Sequence, residues 1–118
     1  MAKPIKTIDY DLENDIFSFS NGEKSKASLD IGDFVLDVSH NNLISGMEIM
    51  DASENLGIDK KVLNSIKSMR MSVNYKTNNV YVLLMILFKK NDKEVNIPIP
   101  LTLNLGHKRP RKETLVYH

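Results

Sequence analysis

Apolar and polar residues alternate along much of this chain, and the places where the alternation stops mark its turns. "IKTIDY" (5–10) and "IFSFS" (16–20) alternate as strands with one buried face do. The polar turn "DLEND" lies between them. Asn21-Gly22 follows, and it predicts a two-residue hairpin turn because both positions accept positive φ. A short strand near "KASLDI" comes next. Gly32-Asp33 then breaks the chain before "FVLDVS", in which Phe34, Leu36 and Val38 share a face. "HNN" at 40–42 turns the chain into "LISGMEIM". Strands so closely spaced predict an N-terminal β-meander.

Within "GMEIM" the alternation sends Met47 and Ile49 one way, and Gly46, Glu48 and Met50 the other. Gly46 predicts a bulge or a close approach of backbone. Asp51 stands three residues before Glu54, a D-x-x-E form of the capping box, so both are read as structural caps of a short helix. Gly57 is placed to end that helix. A second helix is expected over about 59–68, capped by Asp59, with Val62, Leu63, Ile66 and Met69 at helical spacing.

The period then returns to two. "MRMSVNYK" and "VYVLLMILFKK", joined at Thr77-Asn78-Asn79, predict a hairpin. Residues 80–88 are apolar without a break, which predicts a strand buried on both faces. In so small a chain, the second covering layer would be another subunit. "EVNIPIPLTL" carries Pro98 and Pro100 two apart, so both missing N–H groups fall along one edge, as at a sheet margin. Ile97, Ile99, Leu101 and Leu103 would point inward together. "IDYDLEND" and "VNYKTNNV" echo each other at an offset of 65, as do "FVLDVS" and "IPLTLN". Two related β-units around a helical middle would give that pattern.

The expected fold is therefore α+β: one domain over 1–105, mostly antiparallel sheet with two short mid-chain helices, a C-terminal hairpin and an edge strand. Residues 106–118 are read as a basic C-terminal tail. The length of 118 residues suits a single domain. The absence of cysteine excludes disulfides, thiolate metal sites and cysteine nucleophiles. No signal peptide is visible, and an apolar run of nine residues is about half what a membrane helix needs. The chain is read as cytoplasmic, with no membrane partner.

Charge changes this picture. Residues 1–59 carry four basic and twelve acidic side chains, a net of −8; residues 60–118 carry twelve and three, a net of +9. Either the halves interleave and their fields cancel, or the asymmetry serves a charged partner or self-association.

Candidate chemistry is sparse. Asp9, Asp11, Glu13 and Asp15 alternate like calcium-loop ligands, but the sixth and twelfth positions are Asn14 and Ser20 rather than glycine and glutamate. Asp11, Glu13 and Asp15 stay as metal-ligand candidates only for a remote reading, a metal-dependent hydrolase. His40, His107 and His118 have no zinc spacing, and no serine sits in a G-x-S-x-G elbow. No cofactor is expected. The clearest feature is Lys108, Arg109, Arg111 and Lys112 around Pro110, a pattern suited to a phosphate backbone. The leading expectation is a non-catalytic interaction or assembly protein that forms a homo-oligomer or takes a protein partner. The alternative is nucleic-acid binding through the tail.

Residues 8–53 resemble the small prokaryotic family known as domain of unknown function number 2283. That family's pattern opens on tyrosine–aspartate and an acidic turn; it closes on glycine–isoleucine–glutamate–isoleucine–leucine running into aspartate–alanine–serine. Here Tyr10, Asp11, Glu13, Asp15, Asp37, Gly46, Glu48, Ile49, Asp51, Ala52 and Ser53 stand at matching positions. Met47 and Met50 replace branched residues, and "HNN" replaces the family's second acidic turn. The resemblance implies a compact β-rich module and brings no activity with it.

Overall fold

A computed structural model describes residues 2–89, 94–102 and 104–118 of the chain. Strands β1 (Ala2–Pro4), β2 (Thr7–Asp11), β3 (Ile16–Ser20), β4 (Ser25–Ile31), β5 (Phe34–Ser39) and β6 (Ile44–Ile49) come first. Helices α1 (Ala52–Leu56) and α2 (Lys60–Leu63) follow. Strands β7 (Ile66–Tyr75), β8 (Val80–Phe88), β9 (Glu94–Leu101) and β10 (Arg111–Tyr117) complete the chain. The fold is α+β and mostly antiparallel, as expected. Among the described residues no helix is long and apolar enough to cross a membrane.

The strands form two five-stranded sheets, ordered β2-β3-β6-β5-β4 and β1-β10-β7-β8-β9. Their inner faces share one core. Phe17, Phe19, Leu36, Met47 and Ile49 of the first sheet meet Met69, Met71, Val73, Leu84 and Phe88 of the second. Each such side chain contributes about 1.5–3 kcal/mol by leaving water. Tyr75 crosses between the layers: its hydroxyl oxygen accepts the Ile44 N–H at 2.7 Å. Residues 5 and 6 join the layers at one corner, where the Ile5 N–H donates to Val116 O and the Lys6 N–H to Ser20 O. The single strand expected over 5–10 is thus divided between the two sheets.

Several expectations need correction. β4, β5 and β6 are a meander, but β3 lies beside β6 instead of β4, a Greek-key order. Asn21-Gly22 is accordingly not a hairpin turn. It begins the passage from β3 to the far edge, and Asn21 Oδ1 accepts the Glu23 N–H at 2.9 Å. The second helix ends at Leu63, and Ile66 and Met69 lie on β7. A spacing of three would put them on opposite faces of a regular strand, but a register shift between Ile66 and Ser68 lets both pack on the core. Residue 103, expected to point inward with its neighbours, lies outside the described residues.

The C-terminal segment is not a free tail. Its last seven residues before His118 form β10, paired on one side with β7 and on the other, in parallel, with β1. Leu115 is buried in the core, which holds the segment in place. β8 also departs from expectation. Val82, Leu84, Ile86 and Phe88 are buried, whereas Leu83, Met85 and Leu87 are only half-buried and Tyr81 is exposed. One face of the strand lacks a covering layer.

Each sheet is built almost wholly from one half of the sequence, so the opposed charges are segregated, not interleaved. Across the outer face of the first sheet run Asp9, Ser18, Glu48, Val35 and Asp30 in register, with Asp37 one row away. That face is acidic.

Candidate functional site

The carboxylates of the N-terminal turn are occupied by the protein itself. Asp11 accepts from Asn14, backbone N–H at 3.0 Å and Nδ2 at 2.8 Å, and the Asn14 side-chain contact is the main cause of its lowered pKa. Asp15 has different partners. The Tyr10 hydroxyl donates to Asp15 Oδ1 at 2.6 Å, the Ser53 hydroxyl to Oδ2 at 2.6 Å, and the Ser53 N–H to Oδ1 at 3.0 Å. Burial raises the Asp15 pKa, but these hydrogen bonds together outweigh it and hold the group below the usual range. Tyr10 is pushed up to about 12, by burial first and then by Asp15. Glu13 is exposed at the turn. Asp11, Glu13 and Asp15 do not converge, and among the described residues no three His, Asp or Glu side chains form a cluster that could hold a metal.

Asp15 also corrects the capping assignment. Asp51 holds the N-cap position with a left-handed backbone, φ 46°, and its side chain makes no cap hydrogen bond. The first N–H groups of α1 go elsewhere: Ala52 donates to Asp15 O at 2.9 Å and Ser53 to the Asp15 carboxylate. Glu54 lies in the first turn, where an acidic side chain suits the helix dipole. α1 is therefore capped from a distant hairpin, which local spacing could not reveal. Asp59 does cap α2 as expected, accepting the Lys61 N–H at 3.0 Å, and Gly57 ends α1 with φ 65°.

The basic residues part company. Lys108 and Arg109 are exposed in the loop before β10. Arg111 lies 3.4 Å from Glu113 Oε2, and Glu113 is buried on the inner side of β10. Lys3 Nζ lies 2.7 Å from Glu113 Oε1, near enough for an ion pair though not aligned as a hydrogen bond. Its pKa is raised, by Glu113 first and also by Glu23. Lys112 turns outward.

That outer face, on the second sheet, is the candidate site. Its cross-strand rows read Lys112–Asn74–Tyr81–Pro100, Thr114–Ser72–Leu83–Pro98, Val116–Arg70–Met85–Asn96 and Ser68–Leu87–Glu94. Three apolar side chains of β8 form a stripe, with polar β7 on one flank and the prolines of β9 on the other. At one end a hollow of about 230 Å³ opens between Arg70 and Glu94, over Met85 and Leu87. Neither Arg70 nor Glu94 is in an ion pair among the described residues. The unbroken apolar run at 80–88, Tyr81 included, pointed to β8; nothing in the sequence placed Arg70 and Glu94 around it.

No protein-family model matches the chain, and no solved structure matches it. Among curated proteins it is similar to one from Methanosarcina mazei that carries the name "Putative hypoxanthine phosphoribosyltransferase". The two are 30% identical over 93 residues, 78% of this chain and 76% of that protein. It is also similar to an uncharacterized protein of Methanocaldococcus jannaschii, 43% identical over 54 residues, 45% of this chain and 47% of the other.

Proposed function

The chain belongs to the family of the Methanosarcina mazei protein, and we propose that it is a small cytoplasmic interaction protein that self-associates and does no catalysis of its own. The stripe of Leu83, Met85 and Leu87, left half-buried on an otherwise complete sandwich, carries this reading. A contiguous apolar strip on a sheet face costs solubility unless something covers it. Residues 8–53, which coincide with β2–β6 and the start of α1, are proposed as a module shared with domain of unknown function 2283. The activity in the relative's name is not carried over. A helix N-terminus is one common place to hold a phosphate, and the two helices here span five and four residues. Equilibrium sedimentation of the full chain should give one discrete mass above the monomer. A monomer at every concentration would sink the proposal.

A second reading has one observation in its favour: the row that sets exposed Tyr81 two strands from Lys112, near the Lys108–Arg109 loop. Cations beside an exposed ring suit single-stranded nucleic acid. An anisotropy titration with mixed oligonucleotides at low and near-physiological salt tests it. Binding that weakens steeply with salt, and is lost with Tyr81→Ala and Lys112→Glu together, would favour this reading. No binding at low salt retires it.

A further inference from the structure

We infer that the outer face of β7-β8-β9 is covered by the same face of a second copy, related by a twofold axis parallel to β8; this rests on the self-association proposed above. Two sheets packed face to face keep their strands roughly aligned, and an isologous contact brings a surface onto itself. With the axis along β8, the Leu83–Met85–Leu87 stripes of the two copies stack on one another. The operation carries β7 of one copy over β9 of the other at the same height. Arg70, level with Met85 and Asn96, then lies over the second copy's Asn96, one residue pair from its Glu94. The contact occurs twice, side by side at the one end of the face where the hollow lies. An axis across the strands at the height of Met85 would set Arg70 on Arg70 instead. Charge complementarity thus selects one orientation.

Three strands of each copy overlap, and β10 falls beyond the second copy's β9. Three strands at about 4.8 Å spacing and eight residues at about 3.3 Å give roughly 380 Å² in flat projection, which corrugation of the side chains raises. Standard interfaces bury about 800 Å² per partner, so this dimer is expected to depend on concentration. The other candidate cover, the acidic outer face of the first sheet, would strand Asp9, Asp30 and Glu48 against an apolar stripe. It would also repeat head to tail without closing.

The test is sedimentation of the full chain, with circular dichroism to confirm folding, for Leu83→Lys, Arg70→Glu, Glu94→Arg and the double variant Arg70→Glu/Glu94→Arg. Leu83→Lys should raise the dimer dissociation constant roughly tenfold or more. Each single charge reversal should weaken the dimer, and the double reversal should restore it, which a merely structural role would not do. Salt should leave the dimer intact, because its centre is apolar. A dimer untouched by Leu83→Lys, or singles that the double does not rescue, would overturn this geometry while leaving self-association standing. An open-ended assembly that dissolves as salt rises would point to acidic-on-basic stacking and overturn it as well. A wild-type monomer would remove both proposals together.

Discussion

Gly46→Ala should lower the melting temperature by roughly 10 °C, the equivalent of about 3 kcal/mol. A Cβ at this position would lie 2.6 Å from the Phe19 carbonyl oxygen and 3.2 Å from Ser20 Cα. Both are backbone of the neighbouring strand, which cannot rotate aside. The Asp37 carboxylate, 3.2 Å away on the other flank, closes the space. The β5–β6 register also shifts here, between Asp37 and Val38, so Gly46 sits beside a bulge. The variant must therefore spread β3 from β6 or tilt one of them. Since β6 is the middle strand of its sheet, the strain reaches the core through Met47 and Ile49. Thermal unfolding followed by circular dichroism is the measurement. A melting temperature within 2 °C of wild type, by contrast with the ~10 °C expected, would mean that the strands yield more easily than the geometry implies.

Asp15→Ala should cost roughly 2–3 kcal/mol at neutral pH, less than the sum of its hydrogen bonds because the site is partly in water. Three donors converge on this one carboxylate, and its backbone oxygen takes a fourth. The residue also holds a left-handed backbone, φ 55°, which alanine tolerates less well than aspartate or asparagine. Asp15→Asn keeps the backbone preference and one acceptor, so it should lose less. The pH dependence has a definite sign. The folded pKa lies below the unfolded value of about 4, so the stabilisation is fully present above that value and disappears as pH falls through the folded one. Denaturant titrations at pH 7 and near pH 2 should show the gap between wild type and Asp15→Asn narrowing in acid. A gap of constant width would show that the charge itself contributes nothing.

The strands were legible because a buried face imposes a period of two, which residues 16–20, 34–39 and 69–75 display. Their order was not. No local signal distinguishes β3 beside β6 from β3 beside β4, since both present the same alternating faces. The last strand was obscured by charge. Lys108, Arg109, Arg111 and Lys112 read as a solvated tail, and Glu113 occupies an inward position that pattern alone assigns to an apolar residue. The ion pairs with Lys3 and Arg111 make that position tolerable, and Lys3 is more than a hundred residues away in sequence. The candidate site was half legible: an apolar run drew attention to β8, but its surroundings follow from cross-strand register. Asp15 shows the same limit, since its partner Ser53 lies across the fold.

The separation of charge between the layers has one more consequence. A net charge of +1 suggests a molecule indifferent to electric fields, yet the protein is a permanent dipole directed from one sheet towards the other. It turns before it touches. Any charged body within about a Debye length, ~8 Å at physiological ionic strength, meets a chosen side of it and not a random one.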